Sequence, residues 1–308
     1  MMTFTIDDVF SDIYKAANAL PIEKLAESIR FGDHKSRHRG DGHDFDRVVE
    51  YDPQIHTLAQ IDWRSRDLNG HVYVREYKVT KDFPVIVVND LSTSMAFGIE
   101  HQHKERMLLE VFGSLGLACF RAQDPMGLIG FAEDIIFHEQ PKVGEDQVYY
   151  LTSQLYEFFM GLESDGGGKL DRRKTDFYNV FDFIRKTYSK RCLVVIVSDF
   201  VDMDNFPGIE VLNDITSHHE MVFVLLDDPS EFAFGGLGYI RQEDLETGQT
   251  KFVSRLKAKK NELKIRLRRK QFRKEIQAAG IDSIVLEYGK HLQRLYRFFI
   301  ARYESFKT

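Results

Sequence analysis

From residue 83 onward, short runs of uninterrupted apolar residues alternate with stretches of helical period, and no other feature restricts the fold so much. A strand covered on both faces has no solvent side, so it reads as an unbroken Val/Ile/Leu run; several such runs between helices indicate a parallel sheet inside helical layers. The runs are Pro84–Val88, Met126–Phe131, Ile135–His138, Leu193–Val197, Met221–Leu226 and Ser283–Leu286. Between them, helical spacing predicts a helix over about 101–121, with Leu108, Val111, Phe112 and Leu115 on one face. Further helices are expected over 146–161, over 176–189, between the strands at 193 and 221, and at the C-terminus through Tyr303. The expected fold of residues 83–308 is therefore α/β, a doubly wound, mostly parallel sheet flanked by helices.

Residues 1–82 have a different pattern and are expected to form a separate N-terminal block. Val9, Ile13, Ala16 and Leu20 recur at spacings of three and four, which predicts two short helices over Ile6–Phe31, broken at Pro21, as an N-terminal appendage. Gly32–Asp46, with Arg37, Arg39, three His and three Gly, has the composition of an exposed loop. Val48–Val79 contains the alternating Val72-Tyr73-Val74-Arg75-Glu76-Tyr77, which suits a strand or hairpin. Tyr239–Ser254, with a turn at Glu246-Thr247-Gly248-Gln249, reads as an inserted hairpin.

Composition removes several functions. The 43% hydrophobic content supports a sizeable core, and a formal net charge of -6 provides no general attraction to nucleic acid or an anionic membrane. Cys119 and Cys192 each lie in an apolar stretch, as expected of buried thiols in a reducing compartment, and two cysteines cannot complete a zinc site. No run approaches the roughly 20 apolar residues of a spanning helix. No basic start leads into an apolar export segment. A soluble, cytoplasmic protein without a transmembrane segment is expected.

The first buried strand ends at Asn89-Asp90-Leu91-Ser92-Thr93-Ser94, and another ends at Val197-Ser198-Asp199, while Thr175-Asp176 sits where a helix begins. In open α/β sheets ligands bind at the carboxyl ends of strands, so Asp90, Ser92, Ser94, Thr175 and Asp199 are candidate site residues. Carboxylates and hydroxyls are hard oxygen donors suited to Mg2+ or Mn2+. Hydroxyl ligands leave a cation poorly neutralised and attractive to a further carboxylate from outside. The competing interpretation is that Asp90 and Thr175 merely cap helices.

In this order, Asp90-x-Ser92-x-Ser94, Thr175 and Ser198-Asp199 resemble the metal-ion-dependent adhesion site of von Willebrand factor A domains. More narrowly, His38-Arg39-Gly40, Ile61-Asp62-Trp63-Arg64, Tyr73-Val74-Arg75-Glu76, Asp90 to Met95, Lys174-Thr175-Asp176 and Ser198-Asp199-Phe200 resemble the bacterial family called domain of unknown function fifty-eight. The resemblance runs from about His34 to the end. It implies that Ser92, Ser94 and Thr175 contact the metal directly, that Asp90 and Asp199 act directly or through water, and that a protein partner contributes an Asp or Glu. The narrower family implies work with a MoxR-type AAA+ ATPase as an adaptor or assembly factor. Many members carry an N-terminal pair of transmembrane helices, which is not apparent here.

Other features carry less. Residues 251–274 hold twelve Lys or Arg and one acid, Glu262, with Phe252, Leu256, Leu263 and Leu267 at helical spacing. This predicts a helix with one packing side and a basic solvated face; nucleic-acid binding through that face is the alternative. His34, His38 and His43 lack a metal-site spacing. Trp63 is expected to pack. The sequence thus favours a non-enzymatic, metal-dependent protein-binding module. A metal-dependent hydrolase using Asp90 is the other alternative, although a haloacid-dehalogenase pattern would place a second Asp where Ser92 stands.

Overall fold

The first helix, α1 (Ile6–Ala19), begins with a reciprocal cap: Thr5 N–H donates to Asp8 Oδ2 at 2.8 Å, and Asp8 N–H donates to Thr5 Oγ1 at 3.2 Å. The computed structural model describes residues 4–19, 39–40, 44–52, 61–66, 72–78, 83–96, 103–164, 174–201, 203, 206–228, 239–243 and 250–307. These fall into two units, one of residues 1–32 with 83–308, the other of residues 33–82. Phe4, Val9 and Ile13 are buried in the main core, so α1 is part of the larger unit rather than an appendage to it. The second predicted helix lies outside the described residues, as do His34, His38 and His43.

The smaller unit is an antiparallel sheet of β1 (Arg39–Gly40), β2 (Asp44–Glu50), β3 (Ile61–Arg66) and β4 (Val72–Lys78), in which β4 pairs with each of the others. Arg39–Gly40 and Asp44–Asp46, expected in a loop, are thus strand residues. Trp63 is 59% exposed, against the expectation that it packs. Ile61, not Trp63, is the buried residue of β3, and the register of β3 on β4 shifts between Ile61 and Arg66, so Ile61 and Trp63 need not share a covered face.

The larger unit continues with β5 (Val85–Asp90), α2 (Thr93–Ala96), α3 (His103–Ala122), β6 (Met126–Phe131), β7 (Ile135–Lys142), α4 (Glu145–Ser164), α5 (Phe177–Thr187), β8 (Leu193–Ser198), α6 (Ile209–His218) and β9 (Glu220–Asp227). After it come the antiparallel pair β10 (Tyr239–Glu243) and β11 (Thr250–Ser254), then α7 (Arg255–Ala278), β12 (Asp282–Glu287) and α8 (His291–Lys307). The main sheet has the order β12-β9-β8-β5-β6-β7, parallel except for β7, which runs antiparallel to β6. It is a mixed α/β architecture with a mostly parallel six-stranded sheet flanked by helices. The alternation of side chains along each strand divides the core into two. Val85, Val87 and Val195 pack with α1, α3, α4 and α8, whereas Ile86, Val88 and Ile196 pack with α5, α6 and α7.

Helix α7 departs from expectation on one point. Leu263 and Leu267 are each 58% exposed, and among the described side chains of the helix the buried ones are Arg269, Phe272 and Ile276 further along; the side chains of Phe252 and Leu256 lie outside the described ones. Apolar spacing marks a helical face but not whether a neighbour covers it. Among the described residues, no helix is long and apolar enough to cross a membrane.

Candidate functional site

Because β5, β6, β8, β9 and β12 run in one direction, their carboxyl ends share one edge of the sheet, and the backbone turns polar there. Asp90, the last residue of β5, is 1% exposed. Its Oδ1 accepts the Ser92 N–H at 2.9 Å, tightening the turn out of the strand. Its Oδ2 accepts the Ser198 hydroxyl at 2.6 Å and the Thr175 hydroxyl at 3.5 Å. Ser92 Oγ and Ser94 Oγ lie 3.1 Å apart. Three segments distant in sequence therefore meet around one carboxyl group.

The cap of α5 is Asp176, which accepts the N–H groups of Tyr178 and Asn179 at 2.9 and 3.2 Å, while its own N–H donates to Ala132 O just past β6. That leaves the neighbouring Thr175 hydroxyl to face Asp90, so Thr175 is not the helix cap. Asp90 likewise serves a loop amide and two hydroxyls.

Asp199, just past β8, is buried and accepts the Val201 N–H at 3.0 Å on Oδ1. Its Oδ2 accepts the Lys104 ammonium at 2.6 Å, and the same Nζ donates to Ser94 O at 3.3 Å. Lys104 is 4% exposed and lies in the first turn of α3, where the helix dipole disfavours a cation, so Asp199 must hold it there. The two carboxyl groups differ in charge behaviour. Burial and the nearby charge of Asp199 push Asp90 up to about 6, against the hydrogen bonds from Ser198 and Ser92. Burial also acts to raise Asp199, but Lys104 and Arg269 outweigh it and hold Asp199 below the usual carboxylate range. Arg269 arrives from α7 and donates to Asp227 at the end of β9 at 2.8 Å.

All five sequence candidates, Asp90, Ser92, Ser94, Thr175 and Asp199, thus lie at this edge, joined directly or through Lys104. The sequence reasoning missed Ser198 as a direct partner of Asp90, and missed Lys104 and Arg269 altogether. The only local sign of Lys104 is a basic residue at the unfavourable end of a helix. Among the described residues no three His, Cys, Asp or Glu side chains gather to hold a metal, and the set here combines two carboxylates with hydroxyls. Asn89, one residue before Asp90 and on the other face of β5, is fully buried, with no hydrogen-bond partner for its amide among the described residues.

A second polar network sits near the starts of α3 and α8. His103 Nδ1 lies 3.0 Å from Asp228 Oδ2 and its ring stacks on Tyr288 at 3.8 Å, while His291 Nε2 lies 2.5 Å from Glu110 Oε2. Its members are spread over 103–291, so no local motif reveals them.

None of the curated proteins matches the chain. Among solved structures it is similar to the conserved hypothetical protein BatB from Bacteroides thetaiotaomicron, with 13% identity, a TM-score of 0.38, and coverage of 72% of this chain and 99% of that one. It is also similar to an aerotolerance-related membrane protein from Bacteroides fragilis, with 14% identity, a TM-score of 0.41 and the same coverage. The family described as protein of unknown function DUF58 matches residues 50–279, a span that includes every candidate site residue, and the chain belongs to that family.

Proposed function

We propose that the chain is a non-enzymatic protein-binding module of the von Willebrand factor A type, in which a bound Mg2+ or Mn2+ accepts an Asp or Glu from a protein partner. The observation that supports this reading most is the convergence of Ser92, Thr175 and Ser198 on the buried Asp90 carboxyl group. The donor set fits such an ion: Asp90, Ser92, Ser94, Thr175 and Asp199 offer only hard oxygen atoms. The charge balance fits as well. Two carboxylates and the Lys104 ammonium sum to about -1, so a divalent cation would bring the site to about +1, favouring one further carboxylate. The Asp90 carboxyl group is buried and holds the Ser92 amide and the Thr175 and Ser198 hydroxyls at once, an arrangement suited to fixing an ion rather than to relaying protons, which is why binding is preferred to turnover. By family resemblance, the partner would be a MoxR-type AAA+ ATPase in the cytoplasm, with this chain as adaptor.

The test is calorimetric titration of Mg2+ and Mn2+ into chelator-treated full-length protein, for the wild type and Asp90→Ala, with and without a short Asp-containing peptide. Saturable binding that the peptide tightens and the variant abolishes is expected. One observation favours a second reading, in which the site works without metal: the 2.6 Å bond by which Lys104 already places a cation against Asp199. Absence of Mg2+ and Mn2+ binding in the wild type would overturn the first reading in favour of this one.

A further inference from the structure

Strand β12 ends the main sheet. It pairs with β9 on one side and, among the described residues, with no strand on the other. A groove of about 650 Å³ opens along that free side. Ser283, Ile284 and Val285 form its floor, Arg273 of α7 stands on one wall, and Arg297 and Phe298 of α8 stand on the other. The two helices cover opposite faces of the sheet, since Phe272 and Ile276 pack in one core and Leu295, Tyr296 and Phe299 in the other. The groove is therefore a sheet edge with a helix above and a helix below, which is the space a seventh strand would fill.

We propose that this edge docks an extended, acidic segment of a protein partner, which adds to β12 as a strand. A free strand edge presents a row of backbone N–H and C=O groups, and strand addition uses them for affinity while flanking side chains select the sequence. Ile284 and Val285 are only half-buried, leaving apolar surface for the incoming chain. The lining is basic on balance, three arginines (Arg273, Arg294 and Arg297) against one acid, Glu287. Among the described residues Arg297 has no carboxylate partner, and the one hydrogen bond of the Arg273 side chain is to the Ser283 hydroxyl, at 3.5 Å. Arg294, by contrast, is already paired with Glu287 at 3.0 Å. In a protein of net charge -6, two uncommitted arginines beside an open strand edge create a local field that favours carboxylates. A second copy of this chain is disfavoured as the occupant, because it would bring the same arginines face to face.

The geometry also sets a sequence rule. Side chains of a strand alternate between faces, so acids at an odd separation reach Arg273 on one wall and Arg297 on the other. Acids at even separations engage one wall alone.

The experiment uses the full chain in chelating buffer with a short fluorescent peptide of adjacent Glu-Asp pairs set among Thr and Val, read by anisotropy and by amide hydrogen exchange. Saturable binding is expected, weakened about tenfold or more in Arg273→Glu/Arg297→Glu, with slowed exchange at the amides of 283–287. Both arginines are exposed, so the variant should keep the wild-type melting temperature. A peptide of the same composition with acids only at every second position should bind several-fold more weakly. The proposal is overturned by no binding, by equal binding to the double variant, by protection away from β12, by stronger competition from a single-stranded oligonucleotide than from unlabelled peptide, or by self-association that the peptide does not reverse. Docking here needs no metal and should survive Asp90→Ala, so its failure is distinct from a failure of the Mg2+ titration.

Discussion

Asp90 is pulled two ways: burial favours its neutral form, while a role in holding a cation requires its charge. Raised from 3.8 to about 6, its carboxyl group binds a proton more tightly in the folded than in the unfolded chain. That contribution to stability is complete below about pH 4 and is lost as pH rises through about 6, a change of up to about 3 kcal/mol. Asp199 behaves oppositely: its lowered value stabilises the fold above about pH 4 and is lost only in stronger acid. In chelating buffer, thermal melts from pH 4 to 8 should show Asp90→Asn gaining on the wild type across pH 4–6 and remaining the more stable of the two at pH 8. Taking the difference isolates Asp90 from His138 and His219, whose lowered values make stability rise with pH. Parallel profiles for the two proteins would show that Asp90 is charged at little expense. Lys104 supplies the matching prediction. Lys104→Met removes the directly bonded cation of the buried Asp199 and leaves it only the field of Arg269, which should cost up to about 3–5 kcal/mol in metal-free buffer. If a divalent ion and the ammonium share that charge, Mg2+ should raise the melting temperature of the variant more than that of the wild type; an equal response would separate the two.

At the level of elements, what the sequence disclosed depended on whether burial leaves a periodic trace. Val85–Val88 and Leu193–Val197 were legible as strands because both faces are covered and every residue had to be apolar. The antiparallel direction of β7 left no such trace, since pairing direction follows from the connection rather than from side-chain pattern. The tight approach of β6 and β7 was also hidden. A Cβ on Gly127 would stand 2.8 Å from Glu139 O and 3.1 Å from Pro141 N, both backbone atoms that cannot move without breaking the pairing. Gly161, in α4, has no atom of the described residues within 4 Å of the same position. Gly127→Ala should therefore destabilise the protein by about 1–3 kcal/mol, and Gly161→Ala should be neutral or stabilise by up to about 1 kcal/mol. Urea denaturation of both variants checks this. Equal effects would mean that the edge formed by β6 and β7 yields more readily than its contacts imply.

For the whole molecule, the succession of strands along the chain and the carboxylates at their ends could be read from the apolar runs of residues 83–286, but the order of those strands in the sheet and the contribution of the N-terminus could not. Asp90 and Asp199 announced themselves by standing where apolar runs stop, whereas Lys104 and Arg269 lie in helices that carry many other charged residues, some buried like Glu105 and Glu110 and most of the other described ones exposed, and only tertiary packing distinguishes them. The same holds for α1. Its amphipathic stripe shows that it must cover something, not what it covers. In the structure Phe4, Val9 and Ile13 join the main core, Tyr14 OH donates to Glu145 Oε1 at 3.0 Å, and Arg106 of α3 donates to Asp12. Burying each apolar side chain contributes about 1.5–3 kcal/mol, so the three together rival the whole net stability of an ordinary domain, about 5–15 kcal/mol. Ile13→Ala should accordingly cost about 2–5 kcal/mol, and a chain beginning after Ala19 should unfold at much lower urea and bind a hydrophobic dye in the absence of denaturant. A truncated chain that unfolds at the same urea concentration as the full one would restore α1 to the status of an appendage. A truncated chain that stays folded but loses stability by the amount of Ile13→Ala alone would instead show that the core closes over the remainder of the helix's footprint.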